Sequence, residues 1–121
     1  MIPTVLYIDD EDLNILVFEK SFKRKFKVRA AKSAEEGLKI LQTHADIDVV
    51  ISDMKMPGMN GLEFISQAKS KYPDIPCFIL SGYNMTAEIQ EALKKELILK
   101  YFTKPLQNHE IEDAVLNCIN S

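Results

Sequence analysis

Five short apolar runs rich in β-branched residues alternate along this chain with longer segments of helical period. The runs cover residues 4–8, 27–30, 48–52, 76–80 and 98–103. They are short and nearly all apolar, as strands covered on both faces are. The first helical segment, about residues 12–24, turns Ile15, Phe18 and Phe22 inward. The second opens on a capping box, Ser33 with Glu36, and keeps Ala34, Leu38 and Leu41 on one face. The third follows Gly61, is carried by Leu62, Ile65 and Ala68, and stops before Tyr72-Pro73. The fourth, about residues 86–95, has a thin apolar stripe of Ala87 and Leu93 and is expected to be the least firmly packed. The fifth, capped by Asn108, carries Ile111, Ala114, Val115, Cys118 and Ile119 on one stripe. The order is βα five times over, which predicts an α/β fold: a doubly wound parallel sheet with right-handed crossovers and helices on both faces.

A chain of 121 residues can build one packed core, and no linker or low-complexity stretch divides it, so residues 1–121 are expected to form a single domain. With 46% apolar and 27% charged residues the composition is that of a globular chain, not a disordered one. The formal charge of -3 gives no electrostatic case for nucleic-acid binding, which needs surplus Lys and Arg. The basic cluster within residues 20–27 reads as the solvated end of a helix. Cys77 and Cys118 lie in apolar runs without metal-ligand spacing, and are expected to be small buried hydrophobes in a reducing compartment. No secretory signal and no stretch of membrane-spanning length stands out, so a cytoplasmic protein that does not engage membranes is expected.

In an open α/β sheet, ligands bind beyond the carboxyl ends of the strands. The first strand delivers Asp9-Asp10-Glu11 there, the third Asp53, the fourth Ser81-Gly82 and the fifth Lys104-Pro105. Each alone has an ordinary explanation: acids at a helix start, turn residues, an exposed lysine. Their joint arrival at the ends of four strands favours a site. Crowded carboxylates repel unless a cation lies between them, and a hard ion such as Mg²⁺ takes oxygen ligands. A carboxylate beside that ion can attack phosphorus, with Lys104 neutralising charge and Ser81 donating a hydrogen bond.

These segments, VLYIDDE at 5–11, VVISDMKMPGMNGLEF at 49–64, FILSGY at 78–83 and YFTKPL at 101–106, resemble the receiver domain of two-component response regulators over essentially the whole chain. The resemblance implies a flavodoxin-like sheet of order 2-1-3-4-5 and a signalling switch, not an enzyme beyond self-phosphorylation and autodephosphorylation. It implies that Asp53 accepts a phosphoryl group from a histidine kinase or phosphotransfer protein. Mg²⁺ would be held by Asp9, Asp10 (the direct ligand of the pair), Asp53 and the backbone carbonyl of Lys55. Ser81 matches the switch hydroxyl and Tyr101 the aromatic switch, while Lys104 matches the family's lysine, followed by a cis bond to Pro105. Phosphorylation would repack the face of helix four, strand five and helix five, which would meet a downstream protein or output domain.

Two features depart from the commonest pattern. Leu97-Ile98 stands where Gly-Ala is usual, making the connection into strand five bulkier, and Lys55 and Tyr83 occupy the positions that tune hydrolysis of the phosphate. A bulky Tyr83 would shield the acyl phosphate. The alternatives are a phosphorylation-independent pseudo-receiver, a Mg²⁺-dependent phosphatase and a flavin carrier. The phosphatase wants a second acid where Lys55 stands, and Asp9-Asp10-Glu11 would repel a flavin phosphate. The last helix leaves no room for an output domain, so the chain is either a stand-alone receiver or a module of a longer protein.

Overall fold

The computed structural model describes residues 2–82, 85–105 and 107–120. Tyr83, on which the shielding expectation falls, lies outside them. Ten elements alternate along the chain: β1 (Thr4–Ile8), α1 (Asp12–Phe22), β2 (Lys27–Ala31), α2 (Ala34–Thr43), β3 (Val49–Asp53), α3 (Gly61–Lys71), β4 (Cys77–Ser81), α4 (Ala87–Lys94), β5 (Lys100–Thr103) and α5 (Asn108–Asn120). The strands form one parallel sheet in the order β2-β1-β3-β4-β5, the flavodoxin-like arrangement. Among the described residues no helix is long and apolar enough to cross a membrane.

Side chains of a strand alternate between its two faces, so the sheet has two cores. On one face Val5, Tyr7, Val49, Ile51, Phe78 and Leu80 meet α1 through Ile15, Phe18 and Phe22, and α5 through Ile111, Ala114 and Val115. On the other, Leu6, Ile8, Val50 and Ile79 meet α2, α3 and α4. Each large side chain so buried contributes roughly 1.5–3 kcal/mol before entropy is counted. An aromatic stack runs through the first core, with the Tyr7 and Phe18 rings 4.1 Å apart and 3° from parallel, followed by Phe22 and Phe26.

The central strands β1, β3 and β4 are buried throughout, but β2 and β5 are not, because each is an edge with one neighbour. α1 ends two residues short of the expected Arg24, and Lys23, Arg24 and Lys25 are exposed as a solvated helix end should be. The face of α4 differs from the expected stripe: Ile89 and Ala92 are buried and Ala87 is exposed. Only these two side chains of α4 are fully buried, fewer than the other helices bury, so its thin packing holds. On α5, Ile119 is exposed and Cys118, packed against the first core, is only partly buried; Cys77 is buried as expected.

Two helix starts also differ in detail. Ser33 accepts the N–H of Glu36 and caps α2, while the reciprocal capping box belongs to α3, between Asn60 and Glu63. Asn108 is the first residue of α5 and not the residue before it. β5 begins at Lys100 instead of residue 98 because α4 ends in a left-handed turn. Glu96 takes φ 61°, and the Leu97 N–H returns to the Ala92 carbonyl. The bulky Leu97-Ile98 pair is accommodated by turning inward, with Ile98 buried in the second core.

Candidate functional site

Strand register assembles the site. β1 pairs with β3 so that Ile8 faces Ser52, which brings the next residues, Asp9 and Asp53, to the same level at the carboxyl edge. β3 pairs with β4 so that Asp53 faces Leu80, and Ser81 follows immediately; Ser81 in turn faces Thr103, and Lys104 follows that. One carboxylate oxygen from each of Asp9, Asp10 and Asp53 lies within 4.8 Å of the others. Lys104 reaches between two of them, with Nζ 3.3 Å from Asp9 Oδ2 and 3.6 Å from Asp53 Oδ1. The Lys104–Pro105 bond is cis.

Exposure differs sharply across the acidic group. Asp9 is fully buried and Asp53 nearly so, while Asp10 is open to solvent. The Asp9 carboxylate is held at both oxygens: the Glu11 N–H donates to Oδ1, and the Tyr7 hydroxyl and Lys104 Nζ donate to Oδ2. The Met54 N–H donates to Asp53 Oδ1. Burial raises the Asp53 pKa, opposed by the Lys104 charge and reinforced by the Asp9 charge, and the net effect lifts it to about 6. Burial, with the Asp9 charge beside it, also pushes the Tyr7 phenol well above its ordinary range, so its hydroxyl stays a donor.

The three carboxylates form a set of hard oxygen donors suited to a divalent ion such as Mg²⁺, with the Lys104 ammonium beside them. Lys55 sits exposed two residues beyond Asp53 in the loop to α3. Ser81 is buried and Tyr101 half-buried, and both line a cavity of about 380 Å³ beside the acidic group, together with Met54, Thr86 and Ile89. The structure thus brings Asp9, Asp10, Asp53 and Lys104 into one cluster, and sets Ser81 and Tyr101 on the walls of the adjoining space.

Three residues at this edge escaped the sequence reading. Ser52, buried, donates its hydroxyl to the Asp53 carbonyl at 2.8 Å; a hydroxyl inside an apolar strand was the available signal. A Cβ on Gly61 would lie 2.3 Å from that same carbonyl oxygen, so only glycine lets α3 start this close to β3. That contact is tertiary and left no mark in the local sequence. Tyr7 read as one more apolar strand residue, although two positions before Asp9 it shares that residue's face.

Residues 5–116 match the model of the response regulator receiver domain. The chain belongs to that family. It is 35% identical over 113 residues to the sporulation initiation phosphotransferase F of Bacillus subtilis, covering 92% of this chain and 89% of that protein. It is 27% identical over 118 residues to the hydrogenase transcriptional regulatory protein HoxA of Cupriavidus necator, where it covers 98% of this chain and 24% of the relative. The chain therefore spans about a quarter of the length of that relative. A solved response regulator receiver domain protein from Clostridium thermocellum superposes with a TM-score of 0.87 at 31% identity, covering 98% of this chain and 95% of that one. The receiver family is one of signal receivers and not of catalysts. An acidic pocket of Asp9, Asp10 and Asp53 beside Lys104 is consistent with a phosphoacceptor switch.

Proposed function

We propose that residues 1–121 act as one receiver unit in which Asp53 accepts a phosphoryl group from a histidine kinase or phosphotransfer protein. The observation that carries this is the placement of Asp53: nearly buried, within 4.8 Å of the Asp9 and Asp10 oxygens, and within ion-pair reach of Lys104. Asp9, Asp10, Asp53 and the Lys55 carbonyl would hold Mg²⁺. When bound, the ion would neutralise the crowded carboxylates and orient the phosphoryl oxygens. An Asp53 carboxylate oxygen attacks phosphorus, a new P–O bond forms, and the bond to the donor's leaving atom breaks. Lys104 balances charge on the transferred group and Ser81 donates a hydrogen bond to it.

Ser81 moving toward the phosphate would vacate part of the cavity it shares with Tyr101, and Tyr101 would turn into that space. The change would be read on the α4-β5-α5 face by a downstream protein or output domain, in the cytoplasm. Relatives named for phosphotransfer and for transcriptional regulation support both kinds of outlet. Incubation with acetyl phosphate and Mg²⁺, followed by intact-mass spectra, tests the reading. One phosphoryl adduct that requires Mg²⁺ and is absent from Asp53→Asn is expected. A folded, Mg²⁺-binding protein that gains none is a phosphorylation-independent interaction module instead.

A further inference from the structure

Asp9 is a fully buried carboxylate, and burial of such a charge is tolerable only when its oxygens are well supplied with donors. One of its donors is unreliable. Lys104 divides itself between Asp9 at 3.3 Å and Asp53 at 3.6 Å, and it is the group that any charge arriving at Asp53 would draw away. The Glu11 N–H serves only Oδ1. That leaves the Tyr7 hydroxyl, 2.8 Å from Oδ2, as the fixed side-chain donor to the oxygen that Lys104 can leave.

Tyr7 is built to be immobile. It lies within a central strand, is 1% exposed, and its ring stacks flat on Phe18 of α1. Tyr7 and Asp9 stand two residues apart on the same face of the chain, so the ring edge reaches the carboxylate without distortion. An apolar side chain would pack equally well against Phe18; what the phenol adds is the hydroxyl, aimed into the acidic cluster. Groups that bond the far side of a metal-site carboxylate fix its orientation and tune its affinity for the ion.

We propose that Tyr7 is a positioning residue of the acidic site, its hydroxyl fixing the Asp9 carboxylate in the orientation that a divalent cation requires. This rests on the reading of Asp9, Asp10 and Asp53 as a Mg²⁺ site. The role reaches the ion only through Asp9, and it makes α1, through Phe18, part of the frame that sets cation affinity.

The test is Mg²⁺ binding by isothermal titration calorimetry to the wild type, Tyr7→Phe and Asp10→Asn. Tyr7→Phe keeps the ring on Phe18 and removes only the hydroxyl. Its dissociation constant is expected to rise by about tenfold, the lower end of what loss of an outer-shell partner costs. Unchanged affinity in Tyr7→Phe, beside clear weakening in Asp10→Asn, overturns the positioning role and leaves the metal site standing. Failure of the wild type to bind Mg²⁺ overturns the metal-site reading, and this inference with it. Should Tyr7→Phe not fold, the wild type decides by NMR. Tyr7 ring resonances that shift in step with Mg²⁺ binding support the role, and resonances that stay still refute it.

Discussion

Asp53→Asn should make the metal-free protein more stable at neutral pH, although it removes the residue on which the site depends. Asp53 is nearly buried beside Asp9 and Asp10, with Lys104 the one cation set against it among the described residues, and its pKa is raised from 3.8 to about 6. The folded state therefore binds this proton more tightly than the unfolded chain does. Below the unfolded value both states are protonated and the penalty is absent. Stability then falls as pH rises from 3.8 to about 6, and above that window the full penalty applies. A rise of this size corresponds to about 3 kcal/mol at most. The raised value already includes the attraction to Lys104, so asparagine, uncharged like the protonated acid, escapes the whole penalty; discounted for solvent screening, a gain of about 1–2 kcal/mol is expected. Urea unfolding followed by circular dichroism, in a chelator at about pH 7.5 and about pH 4.5, measures it. The variant should be the more stable at the higher pH, and the difference should shrink at the lower. A variant no more stable than wild type at about pH 7.5, or a gain equal at both values, would refute the electrostatic reasoning.

Gly61→Ala should destabilise the fold by about 2–3 kcal/mol, since its Cβ would press on main chain that cannot yield, and denaturant midpoints will show it. Because the clash falls on the Asp53 carbonyl, weaker Mg²⁺ binding should accompany the loss. Glu96→Gly should stabilise by about 0.5–1 kcal/mol, because glycine adopts the left-handed turn after α4 without strain, and a raised melting temperature is the check. Lys104→Met removes the charge that opposes burial at Asp53, so NMR titration should place the Asp53 pKa above its wild-type value of about 6.

The alternation of apolar runs with helical periods was enough to order all ten elements, because each period reports which face of an element is covered. It could not separate central from edge strands, so β2 and β5 read as more buried than they are. The stripe on α4 was misplaced for a related reason: eight residues make barely two turns, and Ile89 and Ala92 define the face as well as Ala87 and Leu93 do. The acidic residues and Lys104 were legible because parallel strands deliver their last residues to one edge, and register then fixes which stand level. Ser52 showed only as a hydroxyl inside an apolar strand, while Gly61 and Tyr7 act on those residues through absent volume and a buried hydroxyl, neither of which is encoded in local pattern.

The central claim is that the phosphoryl group resides on Asp53 itself. Borohydride reduces an acyl phosphate to the alcohol, so treating the phosphorylated protein and mapping its peptides identifies the carboxylate that carried the group. Conversion of residue 53 to homoserine, dependent on Mg²⁺ during loading, is the predicted result. Homoserine at position 9 or 10 with residue 53 intact, or a phosphoryl group that maps to a hydroxyl such as Ser81, would contradict the account.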